Sequence, residues 1–419
     1  MPARNPRYDV LFEPVRIGPV TAPNRFYQTP HATGMGYAMP NASIALRALK
    51  AEGGWGVVCT EYCSIHPSSD DSPYAFMSLW DDEDERALAL TADAVHAHGG
   101  LAGIELWHGG GPSSNRLPRQ PMLAPGDQSA IFPQPGQVRA MDKADINEFR
   151  SWQRQAALRA KRAGFDIIYV YAGHDYLPFQ FLSPLTNHRS DEYGGTLKNR
   201  ARLLREMIED TKDAVGDTCA VAVRLAVDEL QGPTGITHEG DGKAVIEMFS
   251  HLPDLWDVNV AGDLGNDSKS SRFSPEGFQE DYVSFVKELT GKPVVSVGRF
   301  TSPDTMVSQI KRGIQDFIGA ARPSIADPFL PNKIAEGRED EIREFIGCNI
   351  CRASNKDGVP VRCTQNPPTG EEWRRGWHPE IMPAKGSDAG VLIVGAGPAG
   401  LEAALSLGRR GYNVRLAEA

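Results

Sequence analysis

No run of about 18 apolar residues occurs anywhere in the 419 residues, so no membrane-spanning helix is expected. A basic excess is lacking too: 54 acidic residues stand against 44 basic ones, for a net charge of −10. Nucleic acid and anionic membranes, which recruit proteins through clustered positive charge, are therefore not expected as partners. Met1 to Tyr8 is polar and interrupted by proline, without a secretory pattern, and the expectation is a soluble cytoplasmic protein. Six cysteines are too few for a disulfide scaffold in a chain of this length. No literal repeat of 20 to 50 residues announces a solenoid. What is present is ordinary globular material, 41% apolar and 23% charged, enough for two to three domains around a large core.

Short runs rich in β-branched and apolar residues recur along most of the chain. They are Asn24 to His31, Gly56 to Glu61, Leu101 to Trp107, Asp166 to Tyr171, Cys219 to Leu225, Trp256 to Val260, Pro293 to Val297 and Asp316 to Ala320. Amphipathic stretches such as Ala144 to Ala163 and Asn199 to Val215 lie between them. Eight buried strands alternating with helices indicate an α/β protein built on a (β/α)8 barrel, with a doubly wound sheet as the competitor.

The texture changes after Ile334. A charged helix, Arg338 to Glu344, is expected to lead into Cys348, Cys351 and Cys363, followed by a linker from Asn366 to Ser387. From Val391 the chain reads as strand, glycine turn, helix (Ala399 to Arg410) and second strand (Asn413 to Ala417). Gly395, Gly397 and Gly400 with Glu418 form a dinucleotide-binding fingerprint, in which the glycines admit a pyrophosphate and the acid takes ribose hydroxyls. The expected domains are a barrel at 1–340, a cysteine segment and linker at 341–386, and the opening βαβ of a dinucleotide-binding domain at 387–419. One helix and two strands cannot bury a core, so the sequence reads as the front of a longer protein.

The C-terminal strand ends of such a barrel carry the active site. There the sequence places Thr29, Pro30 and His31; Glu61 and Tyr62; Glu105 and His108; Tyr171 and His174; Arg224; Asp263 or Asp267; Gly298 and Arg299; and Ala321 and Arg322. Strand exits are polar through exposure as well, so the set carries more weight than any member. Gly298-Arg299 and Ala321-Arg322 follow strands seven and eight, where barrels bind phosphate; the alternative for either arginine is a surface ion pair. A phenol and an imidazole three residues apart, Tyr171 and His174, can share a proton, or can form a structural pair. Cys59, Cys63 and Cys219 read as buried small hydrophobes.

The segments Arg189 to Gly195 with Asn199-Arg200, Val297-Gly298-Arg299, and Ala321 to Pro328 resemble the old yellow enzyme class of FMN barrels. Asn24 to Gln28, Glu61 to Ile65, Tyr171 to His174, Cys363 to Asn366 and Arg374 to Glu380 are similar to its trimethylamine, dimethylamine and histamine dehydrogenase branch. The resemblance runs from about Tyr8 to Ala419. It implies FMN in the barrel, an iron–sulfur cluster after it, oxidation of an amine, and electrons leaving to an electron-transfer flavoprotein or similar acceptor. By the same match Tyr171, His174 and Asp267 fall on the family's active-site Tyr, His and Asp, and Arg224 on the arginine beside the flavin's N1 and O2 edge.

The chain departs from that pattern in three places. Ala32 stands where covalent members carry the linking cysteine, so FMN is expected to be dissociable. Tyr62 keeps one aromatic wall of the substrate pocket, whereas Leu264 and Asn355 occupy the positions of the other two; a different or larger secondary or tertiary amine than trimethylamine is expected. Phe345 replaces one of four cluster cysteines, and the three remaining thiolates suit a [3Fe–4S] centre, a [4Fe–4S] cluster with a non-cysteine ligand, or zinc with an added His. ADP or FAD is expected only in a full-length form, and a homodimer is typical of the family. The readings are an FMN and iron–sulfur amine dehydrogenase; an NAD(P)H-dependent enone or 2,4-dienoyl-CoA reductase; and a scaffold without turnover.

Overall fold

The computed structural model describes residues 4–129, 136–260, 270–356 and 358–418. Strands β1 (Phe26–Gln28), β2 (Val57–Ser64), β3 (Leu101–Trp107), β4 (Ile167–Ala172), β5 (Ala220–Asp228), β6 (Leu255–Val260), β7 (Val294–Val297) and β8 (Phe317–Gly319) pair in parallel in chain order. β8 pairs back onto β1 and closes the ring. The helices that follow them in turn are α1 (Pro40–Glu52), α2 (Asp82–His96), α3 (Lys143–Arg162), α4 (Arg202–Val215), α5 (Asp241–Phe249), α6 (Phe285–Thr290), α7 (Pro303–Lys311) and α8 (Arg322–Ala326). The expected (β/α)8 barrel is the architecture found.

Strands buried on both faces need apolar residues throughout, and every residue of β4 and β5 is buried. Inward-facing Tyr27, Val57, Cys59, Ile167, Tyr169, Leu255 and Phe317 fill the lower barrel, and Ile17 and Ala22 of an N-terminal hairpin close its base. The opposite, C-terminal end is thereby the open one. Helix starts follow local chemistry: the Asp81 carboxylate caps α2 by accepting from Glu83 N at 2.8 Å, and Asp142 with Asp145 forms a capping box on α3.

Several expected boundaries differ, three of them for a clear local reason. β2 continues to Ser64 because a two-residue strand, Met77–Ser78, pairs with Cys63 and Ser64. The helix expected from Asn199 breaks at Ala201, leaving Leu197–Arg200 as a separate turn. The charged helix expected over Arg338 to Glu344 is a single 3-10 turn, Glu339–Glu341. Its backbone is drawn instead onto a buried ion pair: Asp327 Oδ2 accepts from Lys333 Nζ at 2.8 Å and from Arg343 N at 2.8 Å, while Lys333 also donates to the Glu341 carbonyl.

The chain divides into two compact units, Met1–Gly370 and Glu371–Ala419, whereas the sequence placed breaks after 340 and 386. The cysteine segment belongs to the first unit because Val361 N donates to Thr33 O and Asn366 Nδ2 to Ile325 O. Asn366 and Thr369, expected in a linker, are buried. In the second unit, β9 (Val391–Val394) pairs in parallel with β10 (Val414–Ala417) across helix α10 (Pro398–Arg409). Among the described residues, no helix is long and apolar enough to cross a membrane.

Candidate active site

Period-two alternation sends one layer of charged side chains into the barrel: Glu105 of β3, Arg224 of β5 and Asp257 of β6. Arg224 donates to Glu105 at 2.8 Å and to the Pro30 carbonyl at 3.3 Å, and stands 3.7 Å from Asp257. Burial lifts the Glu105 carboxyl to about 7 against the opposing pull of Arg224, and raises Asp257 in the same way. Below this layer the Tyr27 and Tyr169 hydroxyls meet at 2.5 Å. Asp257 and Tyr169 are not singled out by the sequence, and Tyr27 is read there only as part of the Asn24–Gln28 motif. The alternation Leu255, Asp257, Asn259 in β6 is the signal that could have found Asp257.

Above Arg224, β4 ends in Tyr171, whose ring lies 5.5 Å from the guanidinium. Its hydroxyl meets His174 Nδ1 at 2.6 Å. The turn that achieves this holds two consecutive non-glycine residues in left-handed conformations, His174 (φ 51°) and Asp175 (φ 60°). Each costs about 1–2 kcal/mol, a strain that collects at functional sites. Tyr171 and His174 are thus brought together; Asp267 and Leu264 lie outside the described residues, as does Asp263. Asn355 falls in helix α9 (Ile350–Lys356).

Tyr62 donates to Asp71 Oδ2 at 2.8 Å. Its ring packs 4.6 Å from Trp107, which packs 5.2 Å from Tyr176, which in turn meets Tyr171 at 5.3 Å. Tyr62 therefore belongs to an aromatic wall that runs round to the Tyr171–His174 pair. Asp71 and Tyr176 lie outside the segments read from the sequence, Trp107 is read there only as the end of a strand, and only the fold joins them.

Between β1 and α1, Thr33 donates to Glu61 Oε2 through its N (2.6 Å) and its Oγ1 (2.9 Å). His31 meets the buried Lys50 ammonium through Nε2 and the Ala32 carbonyl through Nδ1. Desolvation, with the Lys50 and Arg47 cations, holds its pKa well below the ordinary range, so the ring is neutral. Thr29 Oγ1, Glu61 Oε1, Trp107 Nε1 and Asn259 Oδ1 are buried without a hydrogen-bond partner among the described residues. Unpaired buried polar atoms cost about 1–3 kcal/mol each. Such atoms on β2, β3 and β6 and just past β1 fit a planar, heteroatom-rich ring such as a flavin.

The two arginines after β7 and β8 have further tasks. Arg299 (φ 62°) donates to the carbonyls of Ser274 at 2.7 Å and Phe345 at 3.3 Å. Gly298 has no room for a Cβ, which would meet Phe300 at 2.7 Å and Gly277 at 2.9 Å. Arg322, following Ala321, donates to Ser270 and Asn349 and lies 4.9 Å over the Phe345 ring. Burial lowers its pKa to about 10. Helix α8 is a short turn that begins at Arg322 itself, with Pro323 in its first turn.

Arg322 also pulls on the Cys351 thiol, which burial nonetheless pushes up to about 11. Cys351 is buried, Cys363 half-buried and Cys348 exposed. Gln365 N donates to Cys363 Sγ at 3.4 Å. The thiols suit iron in kind, yet among the described residues no group of three or more His, Cys, Asp or Glu side chains is gathered to hold a metal ion. Cys59, Cys63 and Cys219 are buried, as expected. In the second unit Gly395 (φ 104°) turns the chain after β9 and Gly397 caps α10. A Cβ on Gly400 would fall 1.9 Å from the Gly395 carbonyl, and Glu418 accepts from Ala396 N.

Residues 10–341 match the NADH:flavin oxidoreductase / NADH oxidase family. Dimethylamine dehydrogenase of Hyphomicrobium sp. (strain x) is 48% identical, over 99% of this chain and 58% of that protein. The solved structure of 6-hydroxypseudooxynicotine amine oxidase from Pseudomonas geniculata N1 has a TM-score of 0.97 at 54% identity, over 99% of this chain and 62% of that one. Histamine dehydrogenase from Rhizobium sp. 4-9 has a TM-score of 0.95 at 50% identity, over 99% and 60%. The chain thus spans less than two thirds of the length of these relatives.

Proposed function

Because the chain belongs to the NADH:flavin oxidoreductase / NADH oxidase family, in its amine dehydrogenase branch, we propose that it oxidises a secondary or tertiary amine at the mouth of the barrel. The observation that carries this reading is the Tyr171–His174 pair, 2.6 Å apart on a strained turn beside Arg224. Ala32 offers no thiol for a covalent link, and a dissociable FMN bound here would supply the acceptor for a hydride equivalent from the carbon beside nitrogen. Thr29, Pro30, His31, Glu105, Arg224, Gly298, Arg299, Ala321 and Arg322 would surround it.

An ammonium ion is a poor hydride donor, so the amine must first lose its proton. Tyr171 and His174 share a hydrogen-bonded proton and are placed to take it. Tyr62, Trp107 and Tyr176 offer ring faces that hold the cation before it is deprotonated. Asp267 completes the proposed catalytic set, and Tyr62, Leu264 and Asn355 are the proposed substrate-pocket residues, only the first of them aromatic. Arg224 would lend its positive charge to a flavin bound above the Glu105–Asp257 layer. The iminium released reacts with water to give an aldehyde and a smaller amine.

Cys348, Cys351 and Cys363 would hold an iron–sulfur cluster of the [3Fe–4S] or [4Fe–4S] type, whose chemistry is one-electron transfer to an external carrier such as an electron-transfer flavoprotein. The Gly395–Gly400 turn with Glu418 is the opening of a dinucleotide-binding fold for ADP or FAD in a full-length form. The protein is cytoplasmic and homodimeric on this reading. The test is product analysis with an artificial one-electron acceptor. Aldehyde in stoichiometry with reduced acceptor supports the reading; acceptor reduced by NADPH alone, with enones consumed, replaces it by a reductase.

A further inference from the structure

A second polar cluster lies beside the site. Two of its bonds can run in only one direction, because backbone N–H groups donate: Ser68 N to His66 Nδ1 at 3.1 Å, and Gly110 N to His108 Nδ1 at 3.1 Å. Both Nδ1 atoms are therefore acceptors, and each neutral ring carries its proton on Nε2. Ser68 Oγ lies 3.0 Å from His108 Nε2 and 2.8 Å from His66 Nδ1. Donation thus runs one way, from His108 through the Ser68 hydroxyl to His66. Trp152 of α3 clamps the chain, stacking 3.7 Å from His66 with ring planes 2° apart and lying nearly parallel to His108 at 6.0 Å.

The turn capped by His66 holds the site's edge. Ser69 Oγ accepts from Gly109 N at 2.8 Å, and the Asp70 carbonyl accepts from Ser114 N at 3.0 Å and Asn115 N at 2.9 Å. The next residue, Asp71, accepts from the Tyr62 hydroxyl. Resting on the amine reading above, we propose that neutral His66 is a positioning residue for the substrate: it holds the turn that keeps Asp71 on Tyr62, and protonation of His66 releases this aromatic wall.

Protonation has one place to go. Nε2 is already occupied, so the proton must take Nδ1 and remove the acceptor of both Ser68 bonds. Partial burial makes the charged ring unfavourable, and His108 is the titratable group that acts on this cluster from the end of β3. α3 contributes Trp152, and Phe149 against His108, neither of which titrates; the turn itself carries Asp70 and Asp71.

The probe is tetramethylammonium, whose charge is independent of pH and which aromatic faces bind. Its dissociation constant is measured calorimetrically on the flavin-loaded protein from about pH 8 down to about pH 5, across the histidine range. Wild type is expected to lose about tenfold in affinity over that interval. His66→Asn, whose Oδ1 can replace Nδ1 as acceptor but cannot titrate, is expected to bind like wild type at about pH 8 and to show no acid loss; His66→Leu is expected to bind weakly throughout. The limiting rate of flavin reduction by a saturating amine should be similar in all three. An acid loss that persists in His66→Asn, or wild-type affinity in His66→Leu, overturns the role. If amines reduce the flavin and either of these occurs, only this inference falls. If no amine reduces the flavin and the probe binds none of the three proteins, the amine reading falls and takes the inference with it.

Discussion

Tyr171 and His174 meet because the chain accepts two left-handed residues in a row to turn the imidazole back onto the phenol. Replacing His174 with Gln keeps a hydrogen-bonding group but removes the titrating one. Flavin reduction by amine should slow by about 10²-fold or more, in the range of a lost general base, and its pH profile should move. An unchanged profile in stopped-flow traces counts against the role. At Ala32 the expectation is equally concrete: acid precipitation should leave the protein colourless with FMN in the supernatant, and retained yellow would reveal another covalent link. The pair was legible because three residues at a strand end suffice to suggest it. The Tyr62–Asp71 bond and the Glu105–Arg224–Asp257 layer were not, since their partners come from different strands and loops and only barrel closure aligns them.

At the scale of elements, strands buried on both faces announce themselves by composition. Leu101 to Trp107 is found at the expected bounds, and Ile167–Ala172 and Leu255–Val260 lie within a residue of theirs. Charged segments are less legible, because a helix-like spacing over Arg338 to Glu344 says nothing of a buried anion nearby. Asp327 receives Lys333, Arg343 N and Phe329 N, and both members of its ion pair are almost wholly buried. Asp327→Ala removes the buried carboxylate that receives Lys333, Arg343 N and Phe329 N, and unfolding in urea should show a loss of about 3–5 kcal/mol. A loss below about 1 kcal/mol would mean that water reaches Lys333 and the pair does not anchor this segment.

The whole molecule joins a closed barrel to a unit of two strands, one long helix and a short helical turn, Glu372–Arg375. In the latter, Leu392, Val394, Leu401 and Leu405 are exposed. Amides of Val391–Val394 and Val414–Ala417 should therefore exchange with solvent faster than those of β4 and β5, as hydrogen-exchange mass spectrometry would show; equal protection would contradict this. Acid should act on the barrel through His108, whose buried ring has its pKa lowered to about 3 from 6.5. A group depressed in the native state leaves stability intact above the ordinary value and withdraws it as pH falls toward the native one. The melting temperature should decline from about pH 6.5 downward, less steeply in His108→Gln, and identical slopes would assign the decline to other groups. For function, the decisive experiment is an anaerobic visible spectrum of the FMN-loaded protein, titrated with a panel of secondary, tertiary and aryl-substituted amines and then with NADPH. Bleaching of the oxidised flavin by an amine is the expected result. A flavin that ignores every amine, is bleached by NADPH and regains its colour on adding an enone would contradict amine oxidation at this barrel.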